Sequence, residues 1–126
     1  MLSFSALMVI KAVVCLVFGV LLLAVPEVLL ELLGITTNAG GIFMAREYGA
    51  SLIGHLLLTW VARNAGPSIA RRAITLDLFI YDLIGFVVAL LVTLAGVMNG
   101  LGWAIVAIYL LLALGFGYYA LQRSEP

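Results

Sequence analysis

Residues 4–25 read FSALMVIKAVVCLVFGVLLLAV, a run in which Lys11 is the only charged side chain. A helix rises about 1.5 Å per residue, so this run is long enough to cross a bilayer core of about 30 Å. We therefore predict a membrane-spanning helix here. Further apolar runs of similar length cover 43–62, 73–96 and 103–121. The sequence predicts an all-α, polytopic membrane protein, with residues 1–126 forming a single four-transmembrane-helix bundle.

The composition of the chain supports this prediction. Hydrophobic residues make up 66% of the sequence and charged residues 10%, and the mean hydropathy is +1.30. A soluble domain carries about 25% charged residues, which this chain lacks. The formal net charge is zero, so the chain has no excess of positive charge that would attract nucleic acid. We expect membrane lipids around the protein and no nucleic-acid partner.

Residues 26–33, between the first two apolar runs, are predicted to form a short amphipathic helix. Pro26 suits the first position of a helix and Gly34 suits its end. Glu27 and Glu31 are four residues apart and so share one face. Because two turns cannot span a bilayer, we expect this helix to lie on the outer membrane surface with its acids in water.

The distribution of basic residues predicts the orientation of the four spans. The side that holds both termini and the second connection carries Lys11, Arg63, Arg71, Arg72 and Arg123. The opposite side carries only Arg46. Positively charged residues are enriched in cytoplasmic loops, so both termini are expected in the cytoplasm.

Four ionisable side chains lie inside the predicted spans or near their inner ends. Asp82 and His55 lie about 13 Å and about 10 Å from those ends by the helical rise. Lys11 lies at a similar depth, and Asp77 lies about one turn closer to the cytoplasm. A charge at the bilayer centre costs about 2.5–3.5 kcal/mol, so such groups usually face protein or a partner. We predict one polar cluster, with its charges neutralising one another or with Asp82 protonated.

Two further positions are candidate binding residues. Tyr81 lies beside Asp82 on the polar stripe of the third span. Arg46 lies where the second span enters the membrane and is expected to meet Glu27, Glu31 or an anionic headgroup.

The role of the cluster stays open at this level. It would serve as a structural network that fixes helix register, as a site for a lipid or quinone amphiphile, or as a proton carrier in a small dimeric transporter. The sequence has a single cysteine, Cys15, and contains no metal-binding spacing, serine nucleophile motif or phosphate loop. We predict no catalytic residue, no metal and no cofactor, and hence no enzyme.

Small residues four apart favour close helix packing. Ala45 and Gly49 form one such pair, and Ala50 and Gly54 form another. The third and fourth spans add Gly85, Gly115 and Gly117. The leading functional prediction is therefore a non-catalytic accessory subunit or scaffold that packs laterally against other membrane subunits or copies of itself.

The run Gly19–Gly34, with its Pro-Glu and Leu-Leu-Gly, is followed by Ala-Arg-Glu-Tyr-Gly-Ala at 45–50. Together these segments resemble small bacterial four-helix membrane proteins of the broad DoxX-like group. The resemblance implies a four-helix bundle in a bacterial inner membrane, and some members of that group act as membrane subunits beside redox enzymes. It carries over no catalytic residue.

Overall fold

The computed structural model describes residues 2–122, and this part of the chain is helical without a β-strand. Its helices are α1 (Phe4–Ala24), α2 (Pro26–Leu32), α3 (Ala39–Val61), α4 (Ile69–Leu94) and α5 (Gly102–Leu121). The all-α prediction is thus confirmed. Helices α1, α4 and α5 are long and apolar enough to cross a membrane, which indicates a membrane protein. Helix α3, with 23 residues, is equally long, but Arg46, Glu47 and His55 lower its hydropathy and it is not among those three.

Two helices begin earlier than their apolar runs predicted. Helix α3 begins at Ala39 instead of 43, and α4 begins at Ile69 instead of 73. In α3 the N–H of Gly41 donates to the Asn38 side chain (2.9 Å). In α4 the N–H of Arg71 donates to Ser68 (3.1 Å). Polar capping residues fix these starts, whereas hydropathy marks only the apolar part of each helix.

The long helices form two closely packed antiparallel pairs, α1 with α3 and α4 with α5. Glycine makes the first pairing possible, since a Cβ on Gly49 would lie 3.0 Å from the carbonyl oxygen of Gly19. In the second pair, a Cβ on Gly117 would lie 2.8 Å from the ring of Phe79. Between the pairs, α1 approaches α5 over a small area, whereas the described parts of α3 and α4 make no close backbone approach.

The bundle has two chemically different ends. The basic end, where α1 and α4 begin and α3 and α5 end, carries Arg63, Arg71 and Arg72. Arg123, which the orientation argument also counts, lies outside the described residues. The other end is covered by α2 and is called the α2 end below.

Asn99, in the connection between α4 and α5, holds α2 in place. Its side-chain amide donates to the carbonyl of Leu32 (2.8 Å), and its backbone N–H donates to the carbonyl of Leu33 (2.8 Å). Gly34 follows with φ 74°, a conformation that favours glycine. Helix α2 is therefore hydrogen-bonded to the connection between α4 and α5, although it directly follows α1 in the sequence.

Candidate functional site

A buried ion pair connects the two helix pairs. Nζ of Lys11 on α1 lies 2.7 Å from Oδ1 of Asp82 on α4, and these side chains are only 2% and 0% exposed. Burying either charge alone would be costly, whereas each partner offsets much of the other's desolvation. The pair therefore links α1 to α4 at a point where the two helix backbones do not touch.

Tyr81 joins this ion pair to a second, more exposed pair. The Lys11 ammonium lies 4.6 Å from the centre of the Tyr81 ring, and the His55 ring packs edge-on against Tyr81 with centres 4.7 Å apart. Nε2 of His55 lies 3.8 Å from Oδ2 of Asp77, which is 61% exposed. The structure thus brings the four predicted residues together as two ion pairs that both contact the Tyr81 ring.

Two buried atoms of this cluster have no hydrogen-bond partner among the described residues, Oδ2 of Asp82 and Nδ1 of His55. Buried polar atoms are usually satisfied, so each retains capacity for one more hydrogen bond. Thr59, one turn further along α3, does not join the cluster, because its hydroxyl donates to the backbone carbonyl of His55 (2.8 Å).

Three tyrosines from three helices meet next to the ion pair. The hydroxyl of Tyr81 on α4 donates to that of Tyr48 on α3 (2.9 Å). The Tyr48 hydroxyl also forms a hydrogen bond with that of Tyr109 on α5. We call Tyr48, Tyr81 and Tyr109 the tyrosine chain. Tyr109 was not among the residues predicted from the sequence. The sequence contains only one indication of it, namely that a residue with a hydroxyl group lies among apolar residues near the middle of the fourth predicted span.

Glycine also positions this chain. A Cβ on Gly85 of α4 would collide with the Tyr109 ring. The small residue at this position is therefore needed for α5 to bring its phenol to the other two.

Two members of the tyrosine chain, Tyr48 and Tyr109, line an apolar cavity of about 370 Å³, which is partly open. Its apolar walls come from α1, α2, α3 and α5 and include Phe18, Leu22, Leu29, Leu33, Ala45, Ile105 and Ile108. The polar residues Thr37, Tyr48 and Tyr109 line it as well. Among the described residues, no charged side chain lines the cavity.

Arg46 lies beside this cavity but does not line it. Its guanidinium donates to the carbonyl of Leu23 (2.9 Å) and lies 3.8 Å from the carboxylate of Glu27. Both side chains of this ion pair are about half exposed or more, at 48% and 61%. Such exposed pairs contribute about 0–1 kcal/mol, so Arg46 fastens α3 to the end of α1 mainly through its backbone contact.

The described residues contain no group of three or more His, Cys, Asp or Glu side chains placed to hold a metal ion. The site combines hydrogen-bonded phenols, two of which belong to residues that border an apolar space, with a paired buried charge.

Comparisons with protein-family models, with curated proteins and with solved structures each give no match. The resemblance to the DoxX-like group therefore stays a prediction, and any function is argued from the site itself.

Proposed function

We propose that this protein binds a membrane amphiphile in the cavity between α1, α2, α3 and α5. The observation that carries the proposal is the lining of the cavity, which is mainly apolar and includes the hydrogen-bonded tyrosines Tyr48 and Tyr109. Ligand sites are typically concave, mainly apolar and furnished with a few polar groups that orient the ligand. An amphiphile would place its chain among the leucines and isoleucines and its polar end at the phenols.

The proposal includes α3 as a fourth transmembrane helix. Its 23 residues extend about 35 Å. Two of its polar groups lie where a membrane would tolerate them, because Arg46 lies near the α2 end and His55 packs against Tyr81. With Arg63, Arg71 and Arg72 at the basic end, we place both termini in the cytoplasm of a bacterial cell and α2 on the outer surface of the inner membrane.

A variant that fills the cavity tests amphiphile binding. Ala45 lines the cavity, whereas Ala107 is exposed on α5. We expect native mass spectrometry of the protein, extracted in mild detergent, to show a bound small molecule on the wild type and on Ala107→Phe. The same mass should be missing from Ala45→Phe. Retention of the full bound mass by Ala45→Phe would refute the proposal.

A second candidate is the predicted accessory subunit or scaffold, in a complex or as a homo-oligomer. One observation favours it: Ala50 and Gly54 are both exposed on α3, and a Cβ on Gly54 would meet nothing within 4 Å. Other small residues that were expected to contact a partner subunit contact residues of the same chain instead; Gly115, for example, packs against Leu7. Gly54→Leu should then release co-purifying polypeptides or dissociate an oligomer, and an unchanged assembly would remove this candidate. Proton-coupled transport through Asp82 stays a prediction.

A further inference from the structure

We infer that an anionic phospholipid binds on the lipid-facing side of the α1/α3 pair at the basic end, with one acyl chain in an apolar groove and its phosphate at Arg63. This site is separate from the cavity of the proposed function, although it uses the proposed placement of α3 across the membrane. It consists of a groove between two helices, a tryptophan at one end of that groove and a guanidinium held on the tryptophan ring.

An apolar groove of about 360 Å³ runs between α1 and α3 and is open to the outside of the bundle. Its lining residues are Ala12, Val13 and Leu16 of α1 and Leu56, Leu57 and Trp60 of α3. Ala12 is 2% exposed, whereas Val13 and Leu57 are 53% and 62% exposed, so the small alanine lies between larger side chains that reach further outward. Apart from the Trp60 indole, these residues have no hydrogen-bonding side chain. A hydrocarbon chain therefore fills the groove without burying an unpaired polar group.

The groove begins at the membrane interface and extends toward the bilayer centre. Helix α3 ends at Val61, so Trp60 lies in its last turn, at the basic end. Tryptophan is enriched at the boundary between the hydrocarbon core and the headgroups. From Trp60 to Leu56 the groove follows α3 inward for about 6 Å. This is the direction in which an acyl chain leads away from its headgroup, so the groove is oriented to hold the first part of such a chain.

Arg63 holds a positive charge next to the headgroup end of this groove. Its guanidinium carbon lies 3.9 Å from the centre of the Trp60 ring, and Nη1 donates to the Trp60 carbonyl (2.6 Å). The other N–H donors of the guanidinium remain for an anion. Among the described residues no carboxylate forms an ion pair with Arg63, because the ion pairs there belong to Lys11, Arg46 and His55. The cation is thus fixed in position without a counter-charge from the described chain.

A phosphate matches this cation, and a negative headgroup matches its surroundings. Guanidinium groups bind phosphate through paired hydrogen bonds that are stronger than those between neutral groups. Arg71 and Arg72 lie at the same end, and neither forms an ion pair within the described part of the chain. A headgroup that carries its own ammonium would bring a further positive charge here, whereas a glycerol headgroup leaves the phosphate charge in place. The site therefore favours phosphatidylglycerol over phosphatidylcholine.

Matched ligands test the inference on delipidated protein in mild detergent. Dioleoyl phosphatidylglycerol and dioleoyl phosphatidylcholine share their acyl chains and differ in headgroup charge, and glycerol 1-phosphate supplies the phosphate without a chain. Titration followed by native mass spectrometry should show phosphatidylglycerol binding roughly tenfold more tightly than phosphatidylcholine. Glycerol 1-phosphate at the same concentration should not displace it.

Two pairs of variants separate this site from general effects of charge and surface. Arg63→Gln should remove the preference for phosphatidylglycerol, whereas Arg72→Gln, which removes an exposed arginine at the same end, should keep it. Leu57→Trp places a larger side chain at the groove and should weaken the binding of both lipids. Leu111→Trp, at a position on α5 that is 67% exposed, should not. The helical circular dichroism of all four variants should match that of the wild type.

Several results would overturn the inference. These are equal binding of the two lipids by the wild type, an equal loss of preference in Arg63→Gln and Arg72→Gln, and unchanged lipid binding in Leu57→Trp. Displacement by glycerol 1-phosphate would indicate a phosphate site without a chain. A dimer that binds no lipid and that Leu57→Trp dissociates would mean that a second copy of the chain covers the groove.

The cavity of the proposed function is tested independently by Ala45→Phe. A lipid preference that depends on Arg63, in a protein whose cavity carries no bound molecule, would support this inference and refute the proposed function. Loss of the preference for phosphatidylglycerol in the wild type, with the cavity ligand still bound, would do the reverse.

Discussion

Lys11 on α1 and Asp82 on α4 form a fully buried ion pair, 2.7 Å from Nζ to Oδ1. The two residues belong to different helix pairs, and α1 and α4 make no close backbone approach in the described structure. The charges thus connect the two helix pairs, which are also joined by the hydrogen bonds of the tyrosine chain. The neighbouring Tyr81 contacts the Lys11 ammonium through its ring and donates to Tyr48 through its hydroxyl, so it links the ion pair to a residue that lines the cavity.

Removing one partner of this ion pair should be far more harmful than removing both. Asp82→Leu leaves the Lys11 ammonium buried without a counter-charge, and such changes cost about 3–5 kcal/mol. The double variant Lys11→Met/Asp82→Leu replaces both charges with apolar groups and should recover most of that loss. Denaturant unfolding of the detergent-solubilised protein measures the difference.

The control for this prediction is Asp77→Asn, because Asp77 is 61% exposed and 3.8 Å from His55. We expect it to change the free energy of unfolding by less than about 1 kcal/mol. A double variant no more stable than Asp82→Leu would contradict the account of the pair.

Glycine-to-alanine substitutions on α3 should have opposite effects at two positions. At Gly49 the new Cβ would lie 3.0 Å from the carbonyl oxygen of Gly19 and the backbone nitrogen of Leu23. Separating α1 from α3 to relieve these contacts should cost about 1–3 kcal/mol. At Gly54 the Cβ meets nothing within 4 Å, so alanine should stabilise the helix by about 0.5–1 kcal/mol. Thermal unfolding of both variants, side by side, tests this; similar shifts would argue against the described α1/α3 contact.

Asn99 should control how firmly α2 is held. Asn99→Ala removes the hydrogen bond from the side-chain amide to Leu32 (2.8 Å), a net loss of about 1 kcal/mol. Hydrogen exchange should become faster at the backbone amides of α2 and stay unchanged in α1. Asn64→Ala, the same substitution at the basic end, should leave exchange in α2 as it is. Equal protection of α2 in the wild type and Asn99→Ala would show that other contacts hold this helix.

Ligand binding should depend on the hydrogen bond by which Asn99 holds α2. Because α2 contributes Leu29 and Leu33 to the cavity, loosening it exposes the apolar wall to which a chain would bind. Asn99→Ala is therefore expected to lower several-fold the fraction of the purified protein that carries a bound small molecule, as measured by native mass spectrometry, whereas Asn64→Ala should not. An unchanged bound fraction in Asn99→Ala would mean that α2 does not close the site.

Hydropathy and residue spacing were enough to predict the helices and several of their contacts. The similar depth of Lys11 and Asp82 in the predicted spans indicated that they meet, and the structure contains this ion pair. The expected contact of Arg46 with Glu27 is also present, at 3.8 Å. Contacts of this kind can be predicted because a charged residue inside a membrane span needs a partner, and because helical spacing and depth show which residues can meet.

The cavity and the third phenol could not be predicted in this way. One wall of the cavity comes from α2, which Asn99 holds against the second helix pair through a hydrogen bond between residues far apart in sequence. Tyr109 has apolar residues three and four positions away on either side, so it has no periodic signal. Gly85 and Gly117 follow a pattern typical of lateral association, yet they face Tyr109 and Phe79 of the same chain. Small-residue spacing indicates that a helix packs closely there but does not identify its partner.

Site-specific photocrosslinking tests the central claim, amphiphile binding in the cavity, most directly. Ile108 lines the cavity, whereas Leu111, on the same helix, is 67% exposed. With p-benzoylphenylalanine at position 108, irradiation in native membranes should attach one class of amphiphile to the chain, and at position 111 it should attach the bulk phospholipids. The same mixture of bulk lipids at both positions would contradict a selective binding site.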